Sequence, residues 1–206
     1  MTVSVEQTWQ RIVALLSEHA PVTAREIRPP APIEHVERLQ DAVGLALPAD
    51  LRAWWAAMDG IDDQRDHGTG SRVGGLVPNS FVPLTVKRAE EEYVRQSGYP
   101  DTGCCTPEGT HHKRAGDTGF PFCTALVPIC RDVSGGLLCV DLRPGDDHGR
   151  VMNWYASEGC YPSGWAGVAE ILDEIAERLG DYADGGEVPY GERHPVITEG
   201  ALTQWS

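Results

Sequence analysis

Apolar positions recur at helical spacing in the first sixty residues. Val5, Trp9, Ile12, Val13 and Leu16 share one face, with Glu6, Gln10, Arg11 and Glu18 turned elsewhere, which predicts a helix over 3–19. Pro21 and the run Pro29-Pro30-Ala31-Pro32 interrupt the pattern, so a short extended linker is expected there. Ile33, Val36, Leu39 and Val43 form the stripe of a second helix stopped by Gly44. A third is predicted over 49–59: Leu51, Trp54, Trp55 and Met58 lie at spacings of three, four and seven, Asp50 suits the N-terminal dipole, and Gly60 ends it. Adjacent helical residues lie about 100° apart, so one of the two tryptophans is expected to be partly exposed.

The middle of the chain changes period. Residues 61–75 are rich in Asp and Gly and read as a loop. Leu76-Val77 and Phe81-Val82-Pro83-Leu84 read as short strands, and 86–96 as a helix closed by Gly98. Residues 98–121 hold five glycines and three prolines and read as an irregular insertion. Apolar runs at 122–130 and 137–142, separated by Arg131-Asp132-Val133-Ser134-Gly135-Gly136, predict a hairpin. A symmetric turn would set Cys130 opposite Cys139 as small buried hydrophobes. Val151 to Tyr155 supplies the next strand, making an antiparallel meander.

A last helix is expected from 163 or 164 to 179. Trp165, Val168, Ile171, Leu172, Ile175 and Leu179 face inward, while Glu170, Asp173, Glu174, Glu177 and Arg178 face out. Residues 195–198 and 202–205 can add a short strand pair. No repeat with a period of 20–50 residues occurs. Helices first, strands in the middle and a helix last give an α+β fold: a single domain with a twisted antiparallel meander packed by N-terminal helices and a C-terminal helix. The expected divisions are an N-terminal helix and linker (1–31), the main domain (32–180) and an acidic C-terminal segment (181–206).

Charge narrows the functional classes. The 206 residues carry 17 Lys and Arg against 31 Asp and Glu, a net charge of −14. Half of that excess lies beyond residue 160, where Arg178 and Arg193 face nine acids. Such a chain repels nucleic acid and anionic membranes and steers basic polypeptides toward itself. No signal-like or membrane-spanning apolar run is visible, so a cytoplasmic protein with reduced thiols is expected.

Familiar catalytic patterns are missing. The two lysines, Lys87 and Lys113, follow no glycine, which removes a Walker A loop. The run Gly68-Thr69-Gly70-Ser71-Arg72-Val73-Gly74-Gly75 is followed by β-like sequence and not by a helix that would hold phosphate, so it reads as a connector. No Gly-x-Ser-x-Gly elbow or His-Glu-x-x-His helix occurs. Cys104, Cys105, His111 and His112 are weak zinc candidates, because adjacent cysteines point apart and the ion needs four convergent ligands. Asp141 interrupts an apolar strand, either capping a turn at its end or lining a cleft.

Several short patterns, taken in order, resemble the SUKH superfamily of Smi/Knr-type proteins. They are Leu45-Ala46-Leu47-Pro48-Ala49-Asp50-Leu51-Arg52 running into Trp54-Trp55 and Asp59-Gly60; Phe81-Val82-Pro83-Leu84; Val127-Pro128-Ile129 with Asp132 and Gly135-Gly136; Leu138-Cys139-Val140-Asp141-Leu142; and Gly149-Arg150-Val151 with Trp154. The likeness covers about residues 32–180. Asp59 stands where the family more often has Asn, and Ala125-Leu126 where a tryptophan often precedes the Pro-Ile pair.

The resemblance implies an α+β fold without catalytic residues or cofactor, and a protein-binding function. In bacteria that function is usually immunity, the neutralisation of a toxin domain; in fungi it is regulation of cell-wall synthesis. A basic toxin domain is therefore the expected partner, met by a monomer or weak dimer. A regulatory adaptor, or a metal protein using 104–112, are the alternatives. Acid beside aromatic residues suggests a contact surface bordered by Trp54, Trp55, Asp59, Asp62, Asp63, Asp66 and Asp141, with Trp154 and the acidic face of the last helix as further candidates.

Overall fold

A computed structural model describes residues 4–62, 75–98, 112–119, 121–185 and 193–206. Helix α1 spans Val5–His19 and opens on a reciprocal cap: Gln7 N–H donates to Ser4 Oγ at 3.2 Å, and Ser4 N–H to Gln7 Oε1 at 3.4 Å. Its buried stripe of Trp9, Ile12 and Leu16 joins the main core. The expected extended linker is corrected at its start, because Pro21–Glu26 forms a short helix, α2. Proline at the first helical position has no N–H to leave unsatisfied, so it starts this helix instead of breaking it. The buried Thr23 hydroxyl of α2 accepts the Leu202 N–H at 2.8 Å, which ties α2 to the C-terminal hairpin.

Helix α3 covers Ile33–Val43 and ends at Gly44 with φ 72°. Helix α4 covers Ala49–Ala57. Both Trp54 and Trp55 are fully buried, which corrects the expectation that one would be partly exposed. The angular argument assumes one covered side; α4 has α1, α3 and α6 around it. Among the described residues neither indole N–H finds an acceptor.

A five-stranded antiparallel sheet follows in the order β1 (Val82–Pro83), β2 (Leu126–Arg131), β3 (Leu137–Asp141), β4 (Val151–Tyr155) and β5 (Gly159–Pro162). Helix α5 (Val86–Ser97) crosses from β1 and packs on β2. The predicted strand at 122–130 begins only at Leu126, and Leu76-Val77 contributes a single bridge from Val77 to Phe81. Strand β5 was not anticipated, because Gly159, Pro162 and Gly164 punctuate it like a loop.

The Cys130–Cys139 pairing is also corrected. Cys139 lies opposite Pro128 and Cys130 opposite Leu138, with a bulge between Pro128 and Cys130. The extra residue, Ile129, turns its carbonyl to accept the Leu84 N–H at 2.8 Å, so the bulge serves the neighbouring segment. Burial pushes both thiols well above their ordinary pKa, and each packs as a small apolar group.

Helix α6 covers Val168–Ala183 and packs along α1. It starts later than expected: Ser163 Oγ donates to the Val151 carbonyl at 2.7 Å, holding residues 163–167 against the sheet. Strands β6 (Pro195–Thr198) and β7 (Ala201–Trp205) form the expected C-terminal pair. A single α+β domain results, with one core shared by α1, the sheet and α6. Among the described residues no helix is long and apolar enough to cross a membrane.

Candidate partner-binding surface

Most of the residues first suggested for a contact surface hold the interior together. Asp59 is buried, and its Oδ1 accepts the Val86 N–H at 2.8 Å, satisfying an otherwise orphaned donor at the start of α5. The next residue, Gly60, has φ 75°, and a Cβ there would lie 2.7 Å from Leu84 C and Thr85 N. The Asp-Gly pair is therefore a backbone joint between α4 and α5. Trp54 and Trp55 are enclosed, and Trp154 packs edge-on against Phe122 with ring centroids 5.3 Å apart. Asp62 is half-buried and donates its N–H to the Glu26 carbonyl at 2.9 Å. Asp63 and Asp66 lie outside the described residues.

Asp141 belongs to a clamp at the end of β3. Its carboxylate and the Arg143 guanidinium are both 0% exposed and pair at 2.7 Å. Asp141 also accepts the Arg143 N–H at 3.0 Å and the Gly116 N–H at 2.9 Å. Arg143 Nη2 donates to the Asp117 carbonyl at 2.7 Å. Two residues of one turn thereby fasten the segment around Gly116 to the sheet. The suggested turn-capping role for Asp141 matches this geometry; a solvent-facing cleft does not.

Of the metal candidates, Cys104, Cys105 and His111 lie outside the described residues and His112 is exposed. No group of three or more His, Cys, Asp or Glu is placed to hold a metal ion among the described residues.

The acidic outer face of α6 is different. Glu170, Asp173, Glu174, Glu177, Asp181 and Asp184 follow at spacings that keep them on one side of the helix. Four of them, Glu170, Asp173, Glu174 and Glu177, line an open groove of about 500 Å³ with Trp165, Arg178 and Arg193. Four carboxylates against two guanidiniums leave the groove negative.

Neighbouring segments fix several of these carboxylates. Ala166 N–H donates to Glu170 Oε2 at 2.7 Å, and Thr8 Oγ1 to Asp173 Oδ1 at 3.0 Å. Glu174 receives the Trp165 indole N–H at 2.6 Å on one oxygen and Arg193 Nη1 at 3.0 Å on the other. The Arg193 guanidinium carbon lies 5.5 Å from the centre of the Trp165 ring. Arg178 pairs with Asp181 at 3.2 Å, whereas Glu177 accepts no hydrogen bond among the described residues. The outward positions of α6 were readable from helical periodicity. Arg193 was not, because nothing in the sequence returns that residue to the middle of the helix.

The model of the SMI1 / KNR4 family (SUKH-1) matches residues 30–184. That span runs from the residues before α3 to the end of α6, three quarters of the chain. The chain belongs to the SMI1 / KNR4 family. A search of curated proteins found no match to it. SUKH-1 members are generally non-catalytic, and the family points to protein–protein interaction. The carboxylates of α6 lie within the family span, while α1, Arg193 and the β6–β7 pair lie outside it.

Proposed function

We propose that this SUKH-1 chain is an immunity protein, which binds a basic toxin domain and blocks it without performing catalysis. The observation that carries the reading is the α6 groove, where four carboxylates on one helix face are held ready beside an indole and exceed the local cations by two. Ordered carboxylates on a rigid helix attract a basic polypeptide at long range and meet its side chains with little reorganisation. Family membership supports a binding role, and the net charge of −14 supports a basic partner.

The test is protection. The immunity reading requires a toxin domain encoded beside this chain, and cells expressing that domain should grow when the chain is co-expressed. They should stop growing when Glu170→Lys and Glu177→Lys are introduced together, provided the variant retains the wild-type fold by circular dichroism. Full protection by the folded double variant would remove α6 from the interface. Failure of the unaltered chain to protect would remove the immunity reading.

A further inference from the structure

Arg193 sits in the α6 groove in the way an arginine from another protein would. Its guanidinium meets an aromatic face at 5.5 Å and a carboxylate at 3.0 Å, the two features that together select guanidinium over ammonium. The acceptor is oriented beforehand: the Trp165 indole N–H holds the other oxygen of Glu174 at 2.6 Å. Arg193 itself is loosely held. Its side chain is 39% exposed, and an ion pair so open to water contributes little to stability. It also leaves the groove unneutralised, with Glu170, Asp173 and Glu177 around the same space.

We infer that Trp165 and Glu174 form a receptor for an arginine side chain of the partner, and that Arg193 is a built-in competitor which the incoming arginine displaces. This rests on the proposed binding role of the α6 face. It goes beyond that reading in naming the residue type recognised and the group that must leave. Displacement exchanges one guanidinium for another at Glu174, so that contact is conserved. The net gain comes from the partner's further cations reaching Glu170, Asp173 and Glu177. The competitor lies outside the residues that the family model matches.

The test uses hexa-arginine and hexa-lysine peptides, titrated calorimetrically into the full chain and its Arg193→Lys and Arg193→Ala variants. Arg193→Lys keeps the charge and weakens only the guanidinium's stacking on Trp165 and its single hydrogen bond to Glu174. It should tighten hexa-arginine binding by roughly twofold to fivefold and leave hexa-lysine within about twofold. Arg193→Ala should tighten hexa-arginine further, and adding Glu174→Gln should cancel the gain. Unchanged or weaker hexa-arginine binding by folded Arg193→Lys would overturn the inference, as would equal gains for both peptides. If both peptides bind every variant alike, the acidic face survives as a docking surface and only the competitor fails. If neither peptide binds any variant, both readings fail.

Discussion

Two arginine–carboxylate pairs in this protein use the same chemistry for opposite ends. Arg143 and Asp141 are both 0% exposed, pair at 2.7 Å, and are hydrogen-bonded on several sides by backbone. Arg193 and Glu174 pair at 3.0 Å with 39% and 23% of their side chains exposed. Removing one partner from the first leaves a charge stranded without water; in the second, water or another cation takes the vacated place. Burial decides which pair is a fixture and which is exchangeable.

The largest expected effect lies in the buried pair. Arg143→Ala should lower the unfolding free energy by about 3–5 kcal/mol in urea titration, whereas Arg193→Ala should lower it by less than about 1 kcal/mol. Similar losses for both would erase the distinction. A smaller effect separates charge from hydrogen bonding at the buried Asp59. Asp59→Ala should cost about 1–3 kcal/mol by stranding the Val86 N–H, while Asp59→Asn, which keeps the acceptor, should cost under about 1 kcal/mol. Equal losses would show that the position needs its charge.

The smallest effect concerns pH. At the β2–β3 turn, burial raises the Asp132 carboxyl, but hydrogen bonds from Tyr155, Ser134 and Gly136 outweigh it and leave the group below its ordinary value of 3.8. A folded-state pKa below the unfolded one means that this stabilisation is complete above about pH 4 and fades as the pH falls through the lowered value. Asp132→Asn should therefore reduce stability at pH 7 and narrow its difference from the parent near pH 2. An unchanged difference across that range would contradict the assignment. The same bond, after burial, pushes the Tyr155 phenol well above its ordinary value.

Periodic stretches of the sequence declared themselves. The apolar stripes of α1, α3, α4 and α6 and the meander from β2 to β4 were readable because each element buries a face at its own repeat. The departures have local causes. Pro21 starts a helix where its ring suits the first turn, Ile129 bulges to reach Leu84, and β5 hides among glycines and a proline.

The site was harder to read. Acid beside tryptophan pointed to residues 54–66, yet Trp54, Trp55 and Asp59 serve the core, since a sequence states which residues are neighbours but not which are enclosed. The α6 carboxylates were visible as an outward face. Trp165 is buried, as its apolar position predicts, but its indole N–H reaching Glu174 is a tertiary fact, as is the return of Arg193.

The central claim is that the α6 face docks onto a basic polypeptide. It is tested most directly by the association rate between this chain and the basic toxin domain that the immunity proposal requires as its partner, measured by stopped-flow fluorescence across ionic strength. For the parent chain the rate should fall steeply as salt rises. Glu170→Lys with Glu177→Lys should slow association by roughly tenfold or more at low salt and converge with the parent at high salt. Identical rates for the two chains at every salt concentration would contradict the account.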